Sequence, residues 1–126
     1  MQGAHCNNDD CDESAGPNQV NSNGWTTPIA EYTHEENRCS ITGLGVYQSC
    51  EVPGWSGLFF YSDLCSGQVY ASGWDGSAVV DLGQVGDLSV APLGGGVNGR
   101  GEVFVATTDV YNGPALNGRI YRIDPS

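Results

Sequence analysis

The sequence predicts an all-β fold, and three observations carry that reading. Gly numbers 19 and Pro 6 in 126 residues, and the aromatic and β-branched residues fall in short clusters between Gly, Asn, Asp and Ser. That is the pattern of short strands and turns. No long stretch repeats its apolar residues at 3.6-residue spacing, so helix should be scarce. Two hairpin-like stretches resemble one another. "GLFFYSD…SGQVYA" from Gly57 and "GEVFVATTD…NGRIYRI" from Gly101 each open on Gly, place a Phe three residues on, reach an Asp and turn into Val-Tyr or Ile-Tyr.

The elements follow in order. Residues 1–27 are polar, without periodicity, and read as a loop-rich N-terminal segment. Residues 28–126 hold the strands. "IAEY" is short and reads as an edge. Strands are then expected at 40–48, 58–63, 68–74, 77–84, 87–92, 102–108 and 118–123. The Asp75-Gly76 pair marks a hairpin turn. "PLGGGVNGRG" reads as an inter-strand loop, because its glycines lack the spacing and the Lys of a phosphate-binding loop. Phe60 and Phe104 stand 44 residues apart. A repeat of that length with about four strands per unit is the signature of β-propeller blades. The first four strands make one blade and the last three make most of a second. The expectation is a partial propeller of about one and three-quarter four-stranded antiparallel blades, stabilised by disulfides. A closed ring needs at least four blades, so seven strands leave open edges that invite pairing with another strand.

Charge excludes some partners. The formal net charge is −11, and the four basic residues are Arg38, Arg100, Arg119 and Arg122. Nucleic-acid binding needs clustered Lys and Arg, which this chain lacks. No run approaches the ~20 apolar residues of a membrane span. "MQGAHCNNDD" has no apolar core, so an exported chain would be a mature or trimmed form.

Five cysteines are many for a cytosolic protein. No CxxC or His-x3-His spacing supports zinc, and disulfides in an oxidising compartment are the better reading. This places the protein outside the cytosol: secreted, periplasmic or at the cell surface. Cys6 and Cys11 are positioned to close a small local loop. The acidic run around them offers Asp9, Asp10 and Asp12 as weak calcium candidates. It lacks EF-hand spacing, so a solvated acidic loop is the ordinary reading. His34, beside Glu35 and Glu36, is a base or ligand candidate whose ordinary role is structural. His5 reads the same way. Trp25, Trp55 and Trp74 read as packing residues.

The run "EYTHEENRCSITGLGVYQSCEVPGWSGLFFYSDLCSGQVY" resembles the C-terminal part of the glucose/sorbosone dehydrogenase-like propellers. These are six-bladed proteins related to the pyrroloquinoline-quinone (PQQ) sugar dehydrogenases and the Hedgehog-interacting protein. The resemblance rests on Glu31, Tyr32, His34, Cys39, Ser40, Thr42, Gly43, Val46, Tyr47, Pro53, Gly57, Phe60, Asp63, Cys65, Ser66 and Gly67. It departs at Leu44 and Gln48, where the family usually has Gly and Arg. The blade arrangement it implies sets Cys39 just before one strand and Cys65 just after its neighbour. It therefore pairs Cys39 with Cys65, leaving Cys50 as a free or interchain thiol. A redox or metal cluster is the alternative use of the thiols. The family's enzymes use a His base, Ca²⁺ and cationic residues that hold the quinone. Their His and calcium ligands lie in blades this chain does not contain. The matching last-blade stretch Val85–Leu93 carries no Arg or Lys. The expectation is a non-catalytic binding or structural module with no catalytic, metal or cofactor-binding residue. Its partners would be itself or the remaining blades of a propeller. The alternative is the C-terminal part of a PQQ- and calcium-dependent soluble aldose dehydrogenase.

Overall fold

In the computed structural model, seven strands form two antiparallel sheets. Residues 28, 30–109 and 117–125 are described. The first sheet has the order β1 (Ile41–Val46), β2 (Phe59–Asp63), β3 (Gln68–Trp74), β4 (Val79–Asp87). The second has the order β5 (Ala91–Val97), β6 (Val103–Thr108), β7 (Gly118–Arg122). Both are simple meanders, each strand pairing with the next, as short turns between alternating strands dictate. Among the described residues the one other element is a 3-10 turn, Pro53–Trp55. His34–Ser126 forms one compact unit.

The expected grouping into four strands and three is what forms, with corrections. Ala30–Tyr32 are not strand. The fourth strand runs on to Asp87, and the fifth begins only at Ala91. The glycines of "PLGGGV" are strand β5, not loop. At Gly95 the missing side chain reflects close packing rather than a turn. An ideal Cβ on Gly95 would lie 2.4 Å from Leu44 Cα, so only glycine lets β5 lie this close to β1.

Residues opposite each other in a ladder share a face. Phe60 pairs with Ala71 and Ser62 with Val69, so these four share the face turned toward the second sheet. Val103 and Val105 meet them from β6, and with Leu44, Tyr47 and Leu58 they make the core. The 3-10 turn places Trp55 against Tyr47 and Phe60, with ring centroids at 5.4 and 5.5 Å. Burying each large side chain of this set contributes about 1.5–3 kcal/mol. Ser62 Oγ is buried here without a hydrogen-bond partner among the described residues.

β1 and β5, with the turns that follow them, lock the sheets together. Gly101, at φ +79° in the β5–β6 turn, accepts Gln48 and Ser49 N–H at 2.9 and 3.1 Å. A Cβ there would lie 2.5 Å from the Gln48 carbonyl carbon. Thr42 Oγ1 donates to the Pro92 carbonyl at 3.3 Å.

Candidate docking site

Cys39 and Cys65 form a disulfide with Cα atoms 5.7 Å apart. It ties the start of β1 to the β2–β3 turn, and Asp63 reinforces it. That carboxylate is fully buried and accepts four backbone N–H groups: Cys39 and Ser40 at 2.8 and 2.9 Å, Cys65 and Ser66 at 3.0 and 2.8 Å. Every oxygen position faces a donor, so Asp63 is a structural clamp. Cys50 carries an exposed free thiol. His34 is exposed. His5, Cys6, Cys11, Asp9, Asp10, Asp12 and Trp25 lie outside the described residues. Trp55 is half-buried in the core and Trp74 is 62% exposed at the end of β3.

Two charged or polar clusters stand out. Glu102 is buried at the start of β6, where Asn98 Nδ2, Arg100 Nε (3.0 Å) and Arg122 Nη1 (2.8 Å) donate to it. Asn98 and the two arginines hold its carboxyl below the usual carboxylate range. The cluster joins the β5–β6 turn to the end of β7. On the other face of the first sheet, Phe59, Tyr61 and Tyr70 stack at 5.9 and 5.3 Å. There the Tyr61 hydroxyl and Ser72 Oγ lie 3.3 Å apart, and Ser72 Oγ donates to Asp81 at 2.9 Å. Burial pushes the Tyr61 hydroxyl up, away from use as a base near neutral pH. Among the described residues no three His, Cys, Asp or Glu side chains gather as a metal site. No helix there is long and apolar enough to cross a membrane.

The surfaces left open are apolar. A groove of about 430 Å³ lies over the first sheet's inward face, between β4 and residues 122–125. Leu58, Phe60, Leu82 and Val85 line it, and Asp87, Arg122 and Asp124 stand around it. It is the part of the four-stranded face that a three-stranded sheet leaves uncovered.

The second surface is the outward face of the second sheet. Phe104, Ala106 and Ile120 share it with a glycine strip, around a depression of about 370 Å³. Its relation to the first sheet follows from two β-bulges. In β1 the register shifts between Gly43 and Gly45, leaving Leu44 as the extra residue. In β5 it shifts between Pro92 and Gly94, leaving Leu93. After each bulge the next ladder pairs are Gly45 with Phe60 and Gly94 with Ala106. Phe60 therefore corresponds to Ala106, not to Phe104, which lies on the same face two residues away. The stretch from Gly101 to Asp109 is two residues longer than that from Gly57 to Asp63, which hides the offset in the sequence. The outward face of the second sheet thus matches the face of the first that the second covers. Leu44 is 3% exposed and Leu93 is 56% exposed. Sequence reasoning missed this pair, although "TGLGV" and "PLGGGV" both place Leu beside Gly.

No family model, curated protein or solved structure matches the chain.

Proposed function

We propose that the chain is a non-catalytic binding or structural module of a secreted, glucose/sorbosone dehydrogenase-like protein. Its two sheets are about one and three-quarter propeller-type blades, and it associates through the bare face of the second. The observation that carries this reading is the contrast between Leu44 and Leu93. Equivalent faces point the same way in successive sheets, as in a stack of repeats, and the last face lacks a cover from β1–β7. The grouping of four strands and three supports it. So does the Asp63–Cys39–Cys65 clamp, built from residues that carry the family resemblance. A stable disulfide suits an oxidising compartment.

The test is aldose-dependent reduction of an electron-accepting dye by the purified chain, with added PQQ and Ca²⁺. The expected rate equals the protein-free blank. Sustained turnover would overturn the reading and favour a piece of an active dehydrogenase.

A further inference from the structure

We infer that Asn117 is a site of spontaneous covalent modification, where the side-chain amide is lost to give aspartate and isoaspartate, and that folding protects the matching Asn98. Asn-Gly-Arg occurs at Asn98–Arg100 and again at Asn117–Arg119. Two further Asn-Gly pairs, at Asn23 and Asn112, lie outside the described residues. Glycine after asparagine favours the reaction, because without a Cβ its backbone nitrogen can approach the neighbouring side chain. The Gly118 nitrogen attacks Asn117 Cγ. A bond from that nitrogen to Cγ forms and the bond from Cγ to Nδ2 breaks. Ammonia leaves, carrying the proton that the Gly118 nitrogen gives up. Water then opens the cyclic imide. Attack at the side-chain carbonyl gives aspartate, and attack at the backbone carbonyl gives isoaspartate, whose main chain runs through Cβ. The net exchange is ammonia for water, with nothing oxidised or reduced.

The two identical triplets differ in what holds them. Asn98 Oδ1 accepts the Arg100 and Glu102 N–H groups at 2.9 and 3.1 Å, and Nδ2 donates to the buried Glu102 carboxylate. Its backbone N–H donates to the Glu102 carbonyl at 3.1 Å, and its carbonyl accepts Gly101 N–H at 3.0 Å. The Gly99 nitrogen cannot reach Asn98 Cγ while this network stands. Loss of the amide there would also set a new carboxylate against Glu102. Asn117 is exposed just before β7. Among the described residues its side chain makes one bond, from Nδ2 to Asp109 Oδ2 at 2.8 Å. An attack within one chain depends steeply on reaching the right geometry, so Asn117 should react about a hundredfold faster than Asn98. Conversion replaces the bond to Asp109 by two facing carboxylates, which repel. Isoaspartate also adds a backbone carbon just before Gly118, which pairs with Thr108 at the start of β7. β7 therefore loosens from that end.

The test is incubation of the full chain at mildly alkaline pH, followed by cleavage after arginine and tandem mass spectrometry. The Gly101–Arg119 fragment should gain one mass unit, and its fragmentation should place the gain at Asn117 apart from any at Asn112. The Cys39–Arg100 fragment, which holds Asn98, should convert about a hundredfold more slowly. The same incubation in urea supplies the reference. There the two triplets lose their different surroundings, and their rates should converge.

Equal rates at Asn98 and Asn117 in the folded chain would overturn the inference. So would an Asn117 that keeps its amide in the folded chain while the unfolded chain loses it. A rate difference that persists in urea would also overturn it, because the contrast would then come from the flanking sequence and not from the fold.

Discussion

The two sheets are built on one plan but held by different means. In the first, the β2–β3 turn is tied down by a disulfide and by Asp63, whose carboxylate accepts four backbone N–H groups. In the second, Asp109 stands at the end of β6, where, among the described residues, one exposed bond from Asn117 reaches it at 2.8 Å. The second sheet's charged cluster lies at the opposite end of its strands, where Glu102 gathers Asn98, Arg100 and Arg122. The same residue type in a similar sequence context therefore does different work. Burial and the number of backbone donors that converge on it decide which.

The largest test of this contrast is to remove each aspartate in turn. Asp63→Ala leaves the Cys39, Ser40, Cys65 and Ser66 N–H groups without their acceptor and should destabilise by about 4 kcal/mol. Asp109→Ala should change stability by less than about 0.5 kcal/mol. Urea denaturation of both variants decides it, and equal losses would erase the distinction. Next comes the Cys39–Cys65 bond, which closes a loop of sequence separation 26. Replacing both cysteines by serine should lose about 3.5 kcal/mol by loop entropy. A loss under about 1 kcal/mol would mean that Asp63 alone holds the turn.

Neighbouring glycines of β5 sharpen the comparison of the two faces. Gly95→Ala forces β5 away from Leu44 and should cost about 1–3 kcal/mol in thermal or urea melts. Gly96→Ala points into open space and should be neutral or stabilise by about 0.5 kcal/mol, as replacing a strand glycine does. The smallest effect lies in the acid limb. The folded pKa of Glu102 is lowered, so its contribution is fully present above the ordinary value near 4.3. It is lost as pH falls from there through the depressed folded value. Glu102→Gln should flatten the stability-against-pH curve in that window and leave its slope near neutrality unchanged.

Much of the fold was legible because local chemistry determines it. Asp75-Gly76 turns the β3–β4 hairpin, where Asp75 Oδ1 accepts Ser77 and Ala78 N–H, each at 2.8 Å. Runs such as Phe59–Asp63 and Val103–Thr108 are dense in strand-favouring residues. The glycine run Gly94–Gly96 was not legible as strand, because composition reports flexibility where, at Gly95, the cause is a close neighbour. Nor was the docking face, which depends on register. A bulge moves one leucine out of the pairing, and register is a property of two strands at once.

By itself the sequence determined the all-β class, six of the seven strands to within a few residues and the division into four and three, because turns and alternation act over short distances; the fifth strand, expected at 87–92, lies at Ala91–Val97. It also placed a disulfide between Cys39 and Cys65 through a family resemblance. Only the tertiary structure decided that Leu44 is core and Leu93 is surface. The two leucines share a local context beside glycine in the first strand of their sheets. They differ in whether another sheet of the chain lies over them, and contact at long sequence distance is what burial measures.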